Sequence, residues 1–239
     1  MEFVSRASTF NNLDWVRSQD YLDAIVDTCL PCNRVLDVGC GTWQIARALS
    51  PKVRQVIGID ISLPMMAHGF AQGQIPSNVR LQMADARDMS TVSGTFDCIV
   101  ARMVFHHITD RLEDAVSECY RMLESGGKIV VAEGVPPHPS LKDWYASMFA
   151  LKEERLTFLP EDLVKLLGRF KDVTTSQFIQ KGMSLKNWLD NGGVPEENKA
   201  LIWKMHTDLN EIERGYYNMV ETEDDILMDW ITCIVKGTK

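Results

Sequence analysis

Residues 34–42 read R-V-L-D-V-G-C-G-T, a short hydrophobic run that contains one acid and ends in two closely spaced glycines. A run of this length and composition is typical of a buried strand. Gly39 and Gly41 permit a tight turn after the strand and let a ligand approach the backbone at the carboxyl edge of a sheet. The stretch therefore predicts the first strand of an α/β fold with a ligand site directly after it.

Similar hydrophobic runs recur along the chain, and segments with helical periodicity separate them. This alternation is typical of repeated βαβ units, whose strands are parallel and buried on both faces. The predicted strands are 34–38, 55–60, 79–83, 96–101, 128–133, 172–180 and 226–236. We predict a Rossmann-like α/β fold with a seven-stranded, mostly parallel sheet and helices on both faces.

The alternation stops after residue 133, where P-P-H-P at 136–139 interrupts regular structure. Helical periodicity returns at 141–155 and 161–168, and a polar helical insertion occupies 184–215. Insertions at strand ends commonly close over an active site. We predict a single domain over 1–239, with helical lid elements at about 137–168 and, near the C-terminus, 184–215.

The composition of the chain disfavours nucleic acids and membranes as its partners. The 25 Lys and Arg residues against 33 Asp and Glu residues give a net charge of −8, which disfavours binding to a phosphate backbone. No stretch approaches the roughly 18 apolar residues that cross a bilayer, and the N-terminus lacks a signal-peptide core. We expect a soluble, cytoplasmic protein without a nucleic-acid or membrane partner, as a monomer or a homodimer.

The cysteines give no sign of a metal or disulfide framework. Cys29 and Cys32 have the C-x-x-C spacing of redox and zinc sites, but the chain has no second such pair and no ligand-spaced histidine pair. The motif also precedes the first strand instead of opening a helix after it. We interpret the spacing as chance and predict no metal.

The glycine turn suits some cofactors better than others. A dinucleotide site needs G-x-G-x-x-G, but Gln44 stands at the sixth position, and Asp37 would place a negative charge beside the pyrophosphate. A carboxylate there suits a ligand that carries an ammonium group beside a sulfonium, as S-adenosylmethionine (SAM) does. The sequence therefore disfavours NAD and favours SAM.

Two further acids follow the next two predicted strands. Asp60 ends V-I-G-I-D, 19 positions after Gly41, where a carboxylate can accept both ribose hydroxyl hydrogens. Asp85 follows the third strand in M-A-D-A and can accept a hydrogen bond from an adenine amino group. Acids at three successive strand ends predict one nucleoside-binding edge.

These motifs together resemble the class I SAM-dependent methyltransferases, nearest the subgroup that includes the ubiquinone/menaquinone-biosynthesis type. The resemblance covers roughly residues 30–135. It depends on V-L-D-V-G-C-G-T at 35–42, G-I-D at 58–60, A-D-A at 84–86, F-D-C-I-V-A at 96–101, F-H-H-I at 105–108 and E-C-Y-R-M-L-E-S-G-G-K-I-V-V-A-E at 118–133.

The resemblance implies a role for each matching position. By this resemblance Asp37, Gly39 and Gly41 bind the methionine part, Asp60 the ribose, and Asp85 and Ala86 the adenine, while Ala101 and Arg102 line the pocket after the fourth strand. The other predicted cofactor-binding residues are Cys40, Ile61, Trp43 and Phe10. Trp43 departs from the family, which often has a third glycine there, so we expect its indole to stack over the cofactor or to wall off the substrate cavity. Phe10, with Trp15, is expected to close over the cofactor.

The implied reaction is transfer of a methyl group from SAM to an oxygen, nitrogen or carbon of a small molecule by in-line displacement, for which alignment matters most. His106 and His107 follow the fourth predicted strand, where a histidine can act as a base, although one of the pair can equally cap the following helix. Tyr217 is a third candidate that could orient a polar acceptor or simply cover an edge.

Other readings stay open at this point. Trp144, Tyr145, Met148 and Phe149 have helical spacing, which predicts packing or an apolar pocket wall. His206 is expected to pack on the lid. A SAM-using lyase or cyclase, and a non-catalytic SAM-binding module, remain the alternatives to a methyltransferase.

Overall fold

A computed structural model describes residues 8–239 of the chain. The strands are β1 (Arg34–Val38), β2 (Gln55–Asp60), β3 (Val79–Met83), β4 (Phe96–Arg102), β5 (Leu123–Val135), β6 (Lys171–Ser184), β7 (Val220–Glu221) and β8 (Ile226–Thr238). The main sheet has the order β3-β2-β1-β4-β5-β8-β6, and the two-residue β7 pairs with β8 beside it. The first five strands are parallel, whereas β8 is antiparallel to both β5 and β6. The predicted seven-stranded, mostly parallel sheet is confirmed, and only β7 was not expected.

The helices fall between the strands and in the two insertions. They are α1 (Asp14–Arg17), α2 (Gln19–Cys29), α3 (Gln44–Leu49), α4 (Leu63–Gly69), α5 (Leu112–Met122), α6 (Lys142–Ala150), α7 (Pro160–Leu166), α8 (Leu185–Asn191), α9 (Glu196–Thr207) and α10 (Glu211–Tyr216). In the described chain no helix is long and apolar enough to cross a membrane.

Alternation along the strands divides the core into two layers. Leu36 and Ile57 face one layer, and Val35 and Val56 face the other. Because both faces are covered at the centre of the sheet, β1, β2 and β4 are largely apolar, as buried parallel strands usually are, whereas the edge strands β3 and β6 have exposed polar residues. Parallel pairing brings the carboxyl ends of β1 to β5 to one edge of the sheet.

A third apolar cluster lies over that edge. It joins the N-terminal segment around Leu13 and Val16 to the helical insertions, represented by Phe149 and Trp188. The insertions therefore contain the helices that we predicted, but their role as a lid stays a prediction.

One predicted helix is too long. Periodicity suggested a helix over 141–155, yet α6 ends at Ala150 and residues 153–159 have no regular structure. The Leu156 amide donates to the His106 carbonyl over 2.8 Å, so this segment binds the loop after β4 instead of continuing the helix. Tertiary hydrogen bonding overrides local propensity here.

Candidate functional site

A cavity of about 360 Å³ lies at the carboxyl edge of the sheet, under the third apolar cluster. Its walls include the residues after β1, β2 and β3, the loop after β4, and side chains of α6, α8 and the segment after α6. Most of the predicted cofactor-binding residues line it: Phe10, Asp37, Gly39, Cys40, Gly41, Asp60, Ile61, Asp85, Ala86 and Arg102. Trp43 and Ala101 do not. A site of this size at the edge where parallel strands end is the usual ligand position in α/β sheets.

The glycine turn is shaped by backbone conformations that favour glycine. Gly39 and Gly41 have φ of +64° and +51°. A side chain at Gly39 would also place Cβ only 2.4 Å from a methyl carbon of Val104, so the position has no room for one. The turn therefore keeps bare backbone against the cavity.

Asp37 and Arg102 form the first charged pair of the site. Asp37 is buried and accepts a hydrogen bond from the Ala46 amide over 3.1 Å. Burial raises the pKa of Asp37 to about 7, although the Arg102 charge and that amide oppose the shift. Arg102 Nη2 donates to Gln44 Oε1 over 3.1 Å, whereas its buried Nη1 has no partner among residues 8–239.

This pair supplies a test of whether the methionine part of SAM fits. The α-ammonium needs a buried anion, which Asp37 offers, and the α-carboxylate needs a donor, which the unpartnered Arg102 Nη1 offers. A buried donor without an acceptor costs free energy unless a ligand satisfies it. The two residues therefore fit an amino-acid zwitterion.

Asp60 is positioned by the backbone of its neighbours. Its Oδ2 accepts the Gly41 amide and its Oδ1 accepts the Ser62 amide, each over 2.7 Å. Burial raises the pKa of Asp60, and these amide donors oppose the rise. Because a carboxylate has about four acceptor positions, the fixed Asp60 retains capacity for the two hydroxyl groups of a ribose.

Asp85 is engaged by a residue that sequence analysis did not single out. Arg87 donates to both Asp85 oxygens, with the closest pair, Nη2 and Oδ2, 2.7 Å apart, and its Nη1 reaches Asp110 over 2.5 Å. The Arg87 hydrogen bonds lower the pKa of Asp85, so it stays ionised. Arg87 also lines the cavity, and a basic residue two positions after the acid was the signal available in the sequence.

The prediction for Trp43 is wrong. Its side chain is fully buried behind the glycine turn, where the indole Nε1 donates to the Met66 carbonyl over 2.9 Å and Phe70 packs against the ring. The Arg47 guanidinium lies 4.3 Å from the ring centroid. Trp43 is the residue before α3 and has φ of +49°, so its backbone takes the conformation that a glycine would take while the side chain turns into the core.

Ala101 is also misplaced by the prediction. It lies inside β4, fully buried in the layer that contains Ile99, and does not line the cavity. Since side chains alternate along a strand, Arg102 is the neighbour that faces the site.

Phe10 and Trp15 line the cavity, with their ring centroids 5.6 Å apart. The Arg102 guanidinium lies 5.6 Å from the Trp15 ring centroid.

The two histidines after β4 occupy different positions. His106 is buried, and its Nδ1 lies 2.5 Å from Glu133 Oε2 at the end of β5. Glu133 Oε1 accepts the amides of Val104 and Phe105. Burial raises the pKa of Glu133, and Arg155 and those two amides oppose the rise. His107 is half-buried with its ring 4.0 Å from that of His106, and both line the cavity.

Glu153, Lys152 and Arg155 complete this side of the cavity, and the sequence analysis missed all three. Glu153 is buried and its carboxylate lies 2.9 Å from Lys152 Nζ. The only signal was that the run 152–155 is charged within an otherwise apolar helical region. The place of this run beside the cavity follows only from the structure, in which the chain leaves the helix after residue 150.

One cluster of described residues has metal-ligand chemistry: His106, His107 and Glu153 have ligand atoms within 4.8 Å of one another. The Lys152 ammonium already pairs with Glu153, which disfavours a second cation beside that carboxylate. We therefore keep the prediction of no metal as a prediction.

Tyr217 and His206 face the cavity from the helical insertions. Tyr217 follows α10, is buried, and has a pKa raised well above its usual value by burial. His206 Nδ1 lies 2.7 Å from the Ile202 carbonyl, and burial lowers the pKa of His206 to about 4. Trp144 packs edge-on against both rings. His206 was expected only to pack on the lid, and it does pack, but it also lines the cavity.

The strand order with an antiparallel β8, together with the acid and glycine edge, defines the Rossmann-like methyltransferase fold. A family described as a methyltransferase domain matches residues 36–131. The chain is 28% identical over 180 residues to an uncharacterized methyltransferase, YcgJ, of Bacillus subtilis, over 73% of this chain and 71% of the relative.

Two other comparisons extend this result. A demethylmenaquinone methyltransferase of Thermus thermophilus is 34% identical over 108 residues, 44% of this chain and 49% of that protein, so the chain spans about half the length of this relative. The crystal structure of YcgJ superposes with a TM-score of 0.77 at 23% identity, over 93% of this chain and 99% of that chain. These comparisons show that the chain is similar in sequence to methyltransferases over residues 36–131 and similar in fold to YcgJ over 93% of its length.

Proposed function

We propose that this enzyme transfers the methyl group of SAM to an oxygen, nitrogen or carbon atom of a small molecule. SAM supplies an activated methyl carbon, so the protein has to align the acceptor, exclude water and accept a proton. The cavity supports this proposal because it extends from the Asp37 and Asp60 edge to His106 and His107 in one continuous space.

The observation that carries the proposal is the buried pair of His106 and Glu133. When the ring donates Nδ1–H to the carboxylate, Nε2 is the nitrogen through which His106 would take a proton from an acceptor. Glu133 holds the ring in place and stabilises the imidazolium that then forms. We assign His106 the role of general base, with His107 beside it and Tyr217 as a residue that orients the acceptor.

The experiment incubates the purified protein with SAM and a panel of phenols, amines and carbon acids, and detects S-adenosylhomocysteine and methylated product by mass spectrometry. In His106→Gln we expect kcat to fall about 10²–10⁴-fold while S-adenosylhomocysteine affinity stays the same. His138→Gln is the matched control, because His138 is half-buried and does not line the cavity. An unchanged kcat in His106→Gln would refute the base assignment.

A lyase or cyclase on the same fold was favoured only by Trp43. Since that indole packs behind the glycine turn, no observation now favours the alternative, and product mass distinguishes it from methyl transfer. The expectations of a small-molecule partner, no nucleic-acid partner and a cytoplasmic location belong to this proposal. So does a lid made of the helices at 137–168 and 184–215.

A further inference from the structure

Arg155 is a buried cation at the acceptor side of the cavity. Its side chain is 6% exposed and lines the cavity next to the two histidines. The segment that carries it is fixed there by the hydrogen bond from the Leu156 amide to the His106 carbonyl. The guanidinium is therefore held in place by the main chain as well as by packing.

The part of the chain that the structure describes does not satisfy the hydrogen-bonding capacity of Arg155. Its Nε donates to the Leu156 carbonyl over a long 3.3 Å, and its Nη1 is 3.9 Å from Glu153 Oε1, beyond hydrogen-bond distance. Nη2 is buried and has no hydrogen-bond partner among the described residues. A buried charged donor without an acceptor is costly, and such groups in cavities usually meet a ligand.

The two nearby carboxylates have closer partners. Glu153 pairs with Lys152 over 2.9 Å. Glu133 accepts two amides and pairs with His106. Neither one reaches Nη2, so an oxygen that approaches from the cavity is the acceptor that the geometry leaves open.

The wall around Arg155 is aromatic. The guanidinium lies 4.0 Å from the Phe149 ring centroid and 5.9 Å from that of Tyr145. Trp188 packs edge-on against Phe149 at 5.5 Å, and Trp230 against Trp188 at 6.3 Å. All four rings line the cavity, so they offer a continuous apolar surface that begins at the cation.

We infer that the methyl acceptor is a flat apolar molecule with a carboxylate, that Arg155 Nη2 binds this carboxylate, and that Phe149 and Trp188 hold the apolar body. The inference rests on the proposed function, since it names the substrate class of the same site. A carboxylate carries a single negative charge and can accept the hydrogen bond that Arg155 Nη2 has available, so it matches the singly charged guanidinium. A phosphate dianion carries more acceptor oxygens and charge than one guanidinium satisfies.

The test measures binding to the protein saturated with S-adenosylhomocysteine, by calorimetry, of three probes: 2-naphthoate, 2-naphthamide and 2-naphthyl phosphate. We expect the carboxylate to bind at least tenfold more tightly than the other two. A charge-assisted hydrogen bond in a buried site is worth roughly one to two powers of ten in affinity.

The variants assign the preference to Arg155. Arg155→Met should remove the gap between naphthoate and naphthamide, and Arg155→Lys should retain part of it. Arg169→Met is the matched control, because that guanidinium also lies over a ring, Tyr120, at 4.2 Å but is exposed and outside the cavity. If Arg155→Met fails to fold, the three probes on the wild type and Arg155→Lys still decide.

Each contrary result has a defined meaning. Equal affinity for naphthoate and naphthamide, binding of none of the probes, a preference that survives Arg155→Met, or tightest binding of the phosphate would each overturn the inference. Wild-type protein that does not bind S-adenosylhomocysteine would instead overturn the proposed function. The two failures are therefore separable.

Discussion

At the scale of single residues, the site places two of its acids, Asp37 and Asp60, in buried environments that oppose their ionisation. Asp37 is the clearest example, because burial raises its pKa from 3.8 to about 7 despite the Arg102 charge. A buried carboxylate without a partner is destabilised, so a cationic ligand group that binds beside it stabilises it strongly. The same residue therefore destabilises the unliganded fold and is expected to favour binding of a ligand with a cationic group, as SAM has.

Asp37→Asn tests this trade between stability and binding. Between about pH 4 and 7 the folded chain retains a proton on Asp37 that the unfolded chain releases, so stability from this group falls as pH rises and is lost above about 7. The asparagine variant has no such loss. We expect its free energy of unfolding to exceed that of the wild type at pH 8, with a gap roughly 2 kcal/mol larger than at pH 5, and its affinity for S-adenosylhomocysteine to be lower.

Urea unfolding at the two pH values measures the first effect, and calorimetric titration measures the second. Asp23→Asn, at a half-buried position of α2 where the carboxylate accepts a hydrogen bond from Gln19, is the control for a charge lost outside the cavity. A stability gap that does not change with pH would contradict the assignment.

At the scale of elements, the glycine turn and the start of α3 are supported from behind. Trp43 fills the space between the turn and α4, and its indole N–H satisfies the Met66 carbonyl. Gly69 makes this possible, because a Cβ there would stand 1.7 Å from Trp43 Nε1. Trp43 therefore stands where the family often has a third glycine, and Gly69 on the neighbouring helix leaves the space that its indole fills.

The variant Trp43→Phe tests whether Trp43 stabilises the fold or contributes to ligand affinity. Loss of the indole N–H leaves a buried carbonyl without its donor, so we expect a decrease in unfolding free energy of about 1–3 kcal/mol with little change in S-adenosylhomocysteine affinity. Denaturant unfolding and calorimetric titration measure the two quantities. Trp15→Phe should show the opposite pattern, since Trp15 lines the cavity beside Arg102. A large loss of affinity in Trp43→Phe would contradict our placement.

At the scale of the whole molecule, the cavity joins segments that are far apart in sequence. The Asp14 amide donates to Asn187 Oδ1 over 3.0 Å, and Gln180 Nε2 donates to the Trp15 carbonyl over 3.0 Å. These bonds connect the N-terminal segment to β6 and α8 across the cavity. A ligand inside is therefore expected to stabilise sheet and insertions together.

The prediction is a single thermal transition that S-adenosylhomocysteine shifts upwards. At a hundredfold excess over its Kd the ligand adds about 2.7 kcal/mol, which for a chain of this length corresponds to a rise in Tm of roughly 5–10 °C. Differential scanning calorimetry with NAD at the same concentration is the control and should show no shift. Two transitions, of which only one moves, would contradict the prediction of a single domain.

The sequence predicted the sheet and one edge of the site well for a definite reason. Strand periodicity, the glycine turn and the acids at positions 37, 60 and 85 are local patterns, and parallel strands necessarily bring their carboxyl ends together. Arg87 was missed although it lies two positions from Asp85, because its bond to that acid depends on the turn between them. The errors at Trp43 and Ala101 concern the direction of a side chain, which local spacing did not resolve.

What the sequence by itself determined about this protein is the class of fold and the acids at the carboxyl edge of the sheet, where we expect SAM to bind. Tertiary structure alone decided the acceptor side of the cavity. Glu133 meets His106 across 27 positions, and Arg155 reaches the site only because its segment leaves α6 to bind the loop after β4. Contacts between distant segments depend on the tertiary fold, so local sequence patterns do not predict them.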